Sequence, residues 1–405
     1  MKNKFLISSL SIVLLVGFFL TMVARDKDSK LKKTTTNNDL ITIDIDKANI
    51  KNTILFSEIF KQIRIVPLET NRDCLIGNID KMLIENDTIY VLDEKIARSL
   101  FVFDNNGKFI RKIGKLGNGP GEYRKPRSYS IDTKNKRINV YGVGKILNYT
   151  LSGDFIRNIR TDNYSVIDIA NQNGIIYVDH SPFMNDKDGT LLTAFDTDGK
   201  VLNTWLPNSE YTHGFRQQMT TMFDLVETPM DIKYIRPFFD TIFSIDNREL
   251  VPFISFETKN TVTQSEMNKI NSIPIMELSK YLFPSNTAFY QGPLAYAENK
   301  RLIMIQLKIP GNVPYCLLNP KNKNYVFGLL EDDLTGLTLP LVITVTDDSY
   351  VFTTNMSFTN MDLIEKVKNG SIKLDKVEKE KVLRLKPDNN PVIMFYECRE
   401  DFLSN

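Results

Sequence analysis

From about residue 81 onward, apolar and polar positions alternate with the period of two expected of half-buried strands. LFVFDNNGKFIRKIG (100–114), ILNYTLSGDFIRNIR (146–160) and LLTAFDTDGKVLNTWL (191–206) share one layout: an alternating run, a polar turn with glycine, and a second alternating run. The turn glycines, Gly107, Gly153 and Gly199, are 46 residues apart each time. Asn/Asp-Gly turns accept the positive φ angles that tight hairpins demand. The pattern returns less regularly at DTIFSIDNRELVPFISF (240–256) and PYCLLNPKNKNYVFGLL (314–330). Another strand pair precedes most of these hairpins, at 81–93, 129–142, 166–180 and 295–307. The unit is therefore four antiparallel strands in about 46 residues, the period of a propeller blade.

A single blade leaves both its faces exposed, so blades must stack in a ring to make a core. Five units lie between residues 81 and 330, and LVITVTDDSYVFTTN (341–355) opens a sixth with two strands. PVIMFYECR (391–399) adds a third, and KQIRIVPLE (61–69), from the start of the domain, is expected to supply the fourth and close the ring. Two stretches read as helical insertions, 262–282 and 361–386. The expected fold is all-β, a six-bladed β-propeller over 41–405, with seven blades as the alternative count.

The run IGKLGNGPGEYRKPRSYSID followed by RINVYG resembles the NHL repeat, in which a Gly-rich stretch and a proline precede a blade's first strand. TIYVLD, then Arg98, then SLFVFDNNGKFI follows the same order. With PFFDTIFSID and the ending PDNNPVIMFYECRE, residues 55–399 resemble the six-bladed, TolB-like propellers found as exported proteins of Bacteroidetes. That resemblance implies a fold and leaves function open.

The stretch GKLGNGPGEYRKP (114–126) holds four glycines and raises the question of a phosphate-cradling loop. A P-loop needs G-x-x-x-x-G-K-[ST] between strand and helix. Here no Lys-Ser/Thr follows, and Pro120 and Pro126 lead into a strand. The dinucleotide pattern fails on spacing and on the same missing helix. The loop reads as a connector from blade one to blade two.

The N-terminus changes the picture. Lys2 and Lys4 precede FLISSLSIVLLVGFFLTMVA (5–24), which is uncharged and long enough for a spanning helix. Residues 1–24 are expected to form a hydrophobic helix, either a membrane anchor or a cleaved export signal, with 25–40 as a polar tether. The rest would then lie in the cell envelope or beyond it. Apolar residues make up 42% and charged ones 25%, as a globular core requires, and a net charge of +2 gives no polyanion-binding field. Nucleic acid is therefore not an expected partner. The three cysteines, Cys74, Cys316 and Cys398, form neither a disulfide framework nor a paired metal spacing and read as small buried hydrophobes.

Loops joining strand two to three, and each blade to the next, emerge on one face of a propeller. On that face the sequence places Arg98, Glu122, Tyr123, Arg127, Lys145, His180 and Arg236 as candidate ligand-binding residues. Charged groups at a channel mouth hold anionic or polar ligands through charge-assisted hydrogen bonds, though a solvated rim carries the same residues. With only His180 and His213, the chain lacks the zinc histidines of amidating lyases built on NHL-type blades, and no G-x-S-x-G elbow is present. DHSPFMNDKDGT (179–190) packs carboxylates without EF-hand spacing, and AFDTDGKVLNTW (194–205) lacks the leading Ser of a sialidase Asp-box and reads as a hairpin. No catalytic residue, metal site or cofactor is assigned. The expected function is a non-catalytic module that binds a peptide, protein or glycan at the channel face. The competing class is a periplasmic lyase or hydrolase using carboxylate or calcium chemistry there.

Overall fold

The hairpin turns carry the repeat. In a computed structural model, which describes residues 40–161, 166–180, 190–207, 224–246, 248–282, 288–338, 342–354, 357–372 and 374–404, Gly107, Gly153 and Gly199 have φ of 82°, 94° and 85°. At the first turn Asp104 Oδ1 accepts from the backbone N–H groups of Asn106 and Lys108, 2.9 Å each, and the Gly107 N–H donates to the Asp104 carbonyl at 3.0 Å. Asp196 does the same for Asp198, Lys200 and Gly199, while Thr150 takes the position in the middle repeat. A short acceptor at the turn's start thus satisfies the donors that the bend frees.

These hairpins join the outer two strands of the blades. Blade 1 comprises Lys81–Glu85, Thr88–Asp93, Ser99–Asp104 and Phe109–Ile113. Blade 2 comprises Ser128–Asp132, Arg137–Tyr141, Lys145–Thr150 and Phe155–Arg160. Blade 3 comprises Val166–Gln172, Ile175–His180, Thr190–Phe195 and Val201–Pro207, so the segment 194–205 is the expected hairpin. Blade 4 (Leu225–Glu227, Ile232–Tyr234, Thr241–Asp246, Glu249–Glu257) and blade 5 (Gly292–Glu298, Ile303–Lys308, Tyr315–Leu318, Tyr325–Glu331) follow the same order.

Blade 6 closes the ring as expected. Thr344–Val345, Ser349–Thr353 and Val392–Cys398 are completed by Phe60–Pro67, which runs antiparallel to Val392–Cys398 from Val392↔Pro67 to Cys398↔Phe60. Two further strands lie outside the sequence repeat. Ile41–Asp44 adds in parallel to the outer strand of blade 4, and Ile50–Leu55 adds in parallel to that of blade 5. One N-terminal run thus clothes the outer edges of three successive blades.

Five short helices are described: α1 (Phe56–Ile59), α2 (Gln264–Ser272), α3 (Ile275–Leu282), α4 (Ser357–Lys368) and α5 (Lys376–Leu383). Thr263 and Glu266 make a capping box at the start of α2. Helix α5 covers the free edge of the closing strand: Glu378 Oε2 accepts from the Ile65 N–H at 2.6 Å, and Lys381 Nζ donates to the Ile65 carbonyl at 3.0 Å. Two side chains there do what a neighbouring strand would do.

The core lies between blades. Along Thr88–Asp93, Ile89 and Val91 pack toward blade 6 against Val351, Ile393 and Phe395, whereas Tyr90 and Leu92 pack toward blade 2 against Tyr129, Ile138 and Val140. Buried clusters of this kind fill every interface of the ring, from blade 1 against 2 round to blade 6 against 1. At roughly 25 cal/mol per Å² of apolar surface removed from water, these interfaces supply the main driving force. All three cysteines are free and buried, and burial pushes the Cys398 thiol up to about 11.

Candidate functional site

A lysine sits at the ring's axis. Lys81, on the innermost strand of blade 1, is 6% exposed. Its Nζ donates to Asp168 Oδ1 of blade 3 at 3.0 Å, to the Ile169 carbonyl at 2.9 Å and to Ser128 Oγ of blade 2 at 3.3 Å, and lies 3.9 Å from Glu227 Oε2 of blade 4. Ser128 Oγ in turn donates to Asp168 Oδ1 at 2.5 Å. One ammonium therefore ties four blades together. A second buried lysine, Lys233, holds Asp231 at 2.5 Å and Glu298 at 3.3 Å, joining blades 4 and 5. Between these groups the channel narrows to a void of about 30 Å³ lined by Lys81, Glu227, Tyr296 and Ile343.

Below this plug the channel opens into a cavity of about 650 Å³ on the face formed by the turns between first and second strands. Among the described residues, six carboxylates line it, from Glu85, Asp87, Glu227, Asp231, Asp347 and Asp348, and no basic residue does. Several are engaged: Asp231 by Lys233 and Ser244, Asp347 by Lys300, Asp348 by Thr346 and Ser349. The Glu85 side chain makes no hydrogen bond or ion pair with a described residue. Glu227 Oε1 accepts from the Asn171 N–H at 3.0 Å, but among the described residues its buried Oε2 has no hydrogen-bond donor, nor has the buried Asp168 Oδ2 beside the same lysine. Such orphaned buried oxygens are uncommon in folded proteins. Among the described residues no group of His, Cys, Asp and Glu is arranged to hold a metal. Of the calcium-type loop 179–190, the segment 181–189 lies outside the described residues.

Burial drives Glu227 up to about 7, against the pull of Lys81 and the Asn171 N–H, with Asp168 and Glu85 adding to the rise. Burial also raises Glu85. On the opposite face, burial and then the Arg236 guanidinium press the His180 imidazole down to about 4. The two groups work against each other in pH. Glu227 takes up a proton in the fold before it would in the unfolded chain, so its contribution falls as pH rises from about 4.5 to about 7. His180 stays neutral in the fold while the unfolded chain would protonate, so its contribution falls as pH drops from about 6.5 to about 4. Each is worth up to about 3 kcal/mol and they offset. Glu227→Gln is expected to expose a melting temperature that falls on acidification, and His180→Gln one that rises. Melts of the three proteins between pH 4.5 and 7.5 test this, and identical profiles would refute it.

The seven residues singled out from sequence all belong to strand ends or loops on the face opposite the acidic mouth. His180 and Arg236 come together: Arg236 Nη2 donates to the His180 carbonyl at 2.8 Å and to Asp179 Oδ2 at 3.2 Å, while His180 Nε2 and Thr193 Oγ1 are 2.8 Å apart. With Tyr234, whose hydroxyl donates to Asp179 Oδ1 at 2.8 Å, they form a buried strut between blades 3 and 4. Tyr123 is fully buried and donates to the Ile113 carbonyl at 2.9 Å. Glu122 accepts from the Gly119 N–H at 2.8 Å and pairs with Lys115 at 3.1 Å. Arg127 pairs with Glu94 at 3.5 Å, Arg98 is exposed at φ 50°, and Lys145 lines a separate cavity. The glycine run is a connector: Lys115–Leu116 lies parallel to Glu122–Tyr123, and a strand follows at Ser128. A Cβ at Gly114 would sit 2.5 Å from the Tyr149 hydroxyl, so only glycine fits this crossing.

The acidic mouth and the axial lysine escaped the reading of loop parity. A signal existed in VIDIAN, where Asp168 interrupts a β-branched run on what becomes an innermost strand.

Six blades, each built on four antiparallel strands around a charged axis, define the class: a six-bladed β-propeller. The chain belongs to the DUF4934 family, a domain of unknown function, whose model matches residues 40–397. It is similar in structure to a candidate exported protein of Bacteroides fragilis, with a TM-score of 0.69 at 18% identity over 89% of this chain and 99% of that one. A DUF4221 member from Bacteroides vulgatus gives a TM-score of 0.48 at 12% identity, covering 83% of this chain and 96% of that one. No curated protein matches the sequence.

Proposed function

We propose that this chain is a non-catalytic binding propeller of the cell envelope whose acidic channel mouth takes the basic side chains of a peptide. The cavity of about 650 Å³, with six carboxylates and no basic residue among its described lining, carries this reading. Pockets for small ligands commonly run from roughly 300 to 1,000 Å³. The Glu85 carboxylate, unpaired among the described residues, supplies an acceptor for an ammonium or guanidinium through charge-assisted hydrogen bonds, and the buried Glu227 carboxylate beneath the mouth adds negative charge when ionised. The basic start and apolar run at residues 2–24 support export, as does the candidate exported neighbour, and the Gly-rich approach to blade 2 supports an NHL or TolB-like ancestry. Among the described residues no helix is long and apolar enough to cross a membrane, so anchoring rests on residues 5–24 alone.

Titration calorimetry with tri-arginine and tri-glutamate tests the reading. Tri-arginine is expected to bind, and to bind about tenfold tighter at pH 8 than at pH 5.5, because Glu227 ionises between them. Glu85→Gln with Glu227→Gln should remove that binding. Failure of tri-arginine to bind, or equal binding to the double variant, would refute the proposal.

A further inference from the structure

We infer that the glycine crossing, though no nucleotide loop, forms one wall of an oxyanion site on the face opposite the acidic mouth. A cavity of about 490 Å³ lies there, lined by Gly117, Asn118 and Arg124 of the crossing, by Lys145, and by Asn158 and Arg160 of the outer strand of blade 2. No innermost strand contributes, so this site is off the axis and distinct from the mouth. Three cations from three separate elements converge on it, and among the described residues no carboxylate lines it.

The nearest acid of the crossing has been withdrawn. Glu122 is bound to the Gly119 N–H and to Lys115, which together hold it below the usual carboxylate range. Arg124 is oriented by its own loop, with Nε donating to Asn118 Oδ1 at 2.9 Å, and its terminal nitrogens have no described partner. The Lys145 ammonium likewise makes no hydrogen bond or ion pair with a described residue. The turn preceding it is tight, with Val143 at φ 33° and Gly144 at φ 84°, and between Gly142 and Gly144 it brings the Val143 side chain to that wall. An oriented guanidinium beside an unpaired ammonium, in a cavity of this size, fits a carboxylate, sulfate or phosphate group on a ligand of about monosaccharide size.

The full chain should be titrated calorimetrically with glucuronate, inorganic sulfate and inorganic phosphate at constant ionic strength. At least one is expected to saturate a single site, and Arg124→Ala with Lys145→Ala to weaken it at least about tenfold. Arg124→Lys, which keeps charge but loses the planar fork, should fall between. Both altered residues sit at the surface, so melting without ligand should stay within a few degrees of the original. Tighter binding of glucuronate than of the inorganic ions would assign a sugar acid, and the reverse a free anion. Absence of saturable binding, or unchanged affinity in the double variant, would overturn the inference.

Discussion

Removal of residues 40–67 is expected to abolish cooperative melting. Phe60–Pro67 is paired along its whole length with Val392–Cys398, and without it blade 6 would present a bare edge to water. The loss goes beyond backbone pairing. Phe60 lies 5.1 Å from Phe56, 5.4 Å from Tyr396 and 5.9 Å from Tyr350, ring centre to ring centre, within the buried cluster between blades 5 and 6. Phe60→Ala alone should cost about 3–5 kcal/mol, as large-to-small changes in tight cores do. The deletion also strips the parallel strands from blades 4 and 5, and the combined loss exceeds the roughly 5–15 kcal/mol that a domain has in hand. Calorimetry would show no single sharp transition for the truncated chain. A two-state melt within a few degrees of the intact protein would mean that the ring does not depend on this clasp.

The second large effect is expected at the axis. Lys81→Met removes the only cation near Asp168 and Glu227 among the described residues and leaves two buried carboxylates facing each other. Breaking one partner of a buried charge pair typically costs about 3–5 kcal/mol, because the survivor is left desolvated and unpaired. Replacing every partner is far gentler. Lys81→Met combined with Asp168→Asn and Glu227→Gln should therefore recover much of what the single change loses. Urea unfolding of the three proteins is the measurement. A cost below about 1 kcal/mol for Lys81→Met would show that the lysine is incidental to the assembly.

The blade repeat was legible because its physics is local. Alternation at period two and a glycine in the left-handed turn are set within about 15 residues, and blades 1–3 show both. Where the signal faded, another residue had taken the glycine's place: Arg248 turns the blade 4 hairpin at φ 71°, and Lys323 that of blade 5 at φ 64°. The first two strands of blade 4 carry no sequence signal for a different reason. Leu225–Glu227 and Ile232–Tyr234 have three residues each, too few to establish a period, and the turn Thr228–Asp231 has no glycine. Ile41–Asp44 and Ile50–Leu55 were invisible because their partners lie more than 200 residues away. The closing strand was as distant, yet legible, since blade 6 was visibly one strand short.

The site was less readable. Parity of strand order puts a loop on one face or the other, and that placement of the seven candidates followed from it. It carries no information on which side chains meet. The axial network needs Lys81, Ser128, Asp168 and Glu227 from four blades to converge, and only the closed ring sets those distances. Tyr123 shows the converse: a polar aromatic in a glycine-rich loop looked available for a ligand, and it is fully buried with its hydroxyl committed to a carbonyl.

The clasp also sets a timetable. It joins positions more than 320 residues apart, so the portion of chain made first must wait for the portion made last. Until Val392–Cys398 emerges, Phe60–Pro67 has no mate, and the growing polypeptide carries an uncommitted sticky ribbon throughout its synthesis. A product halted near residue 390 would never round up, however completely its earlier sheets had formed.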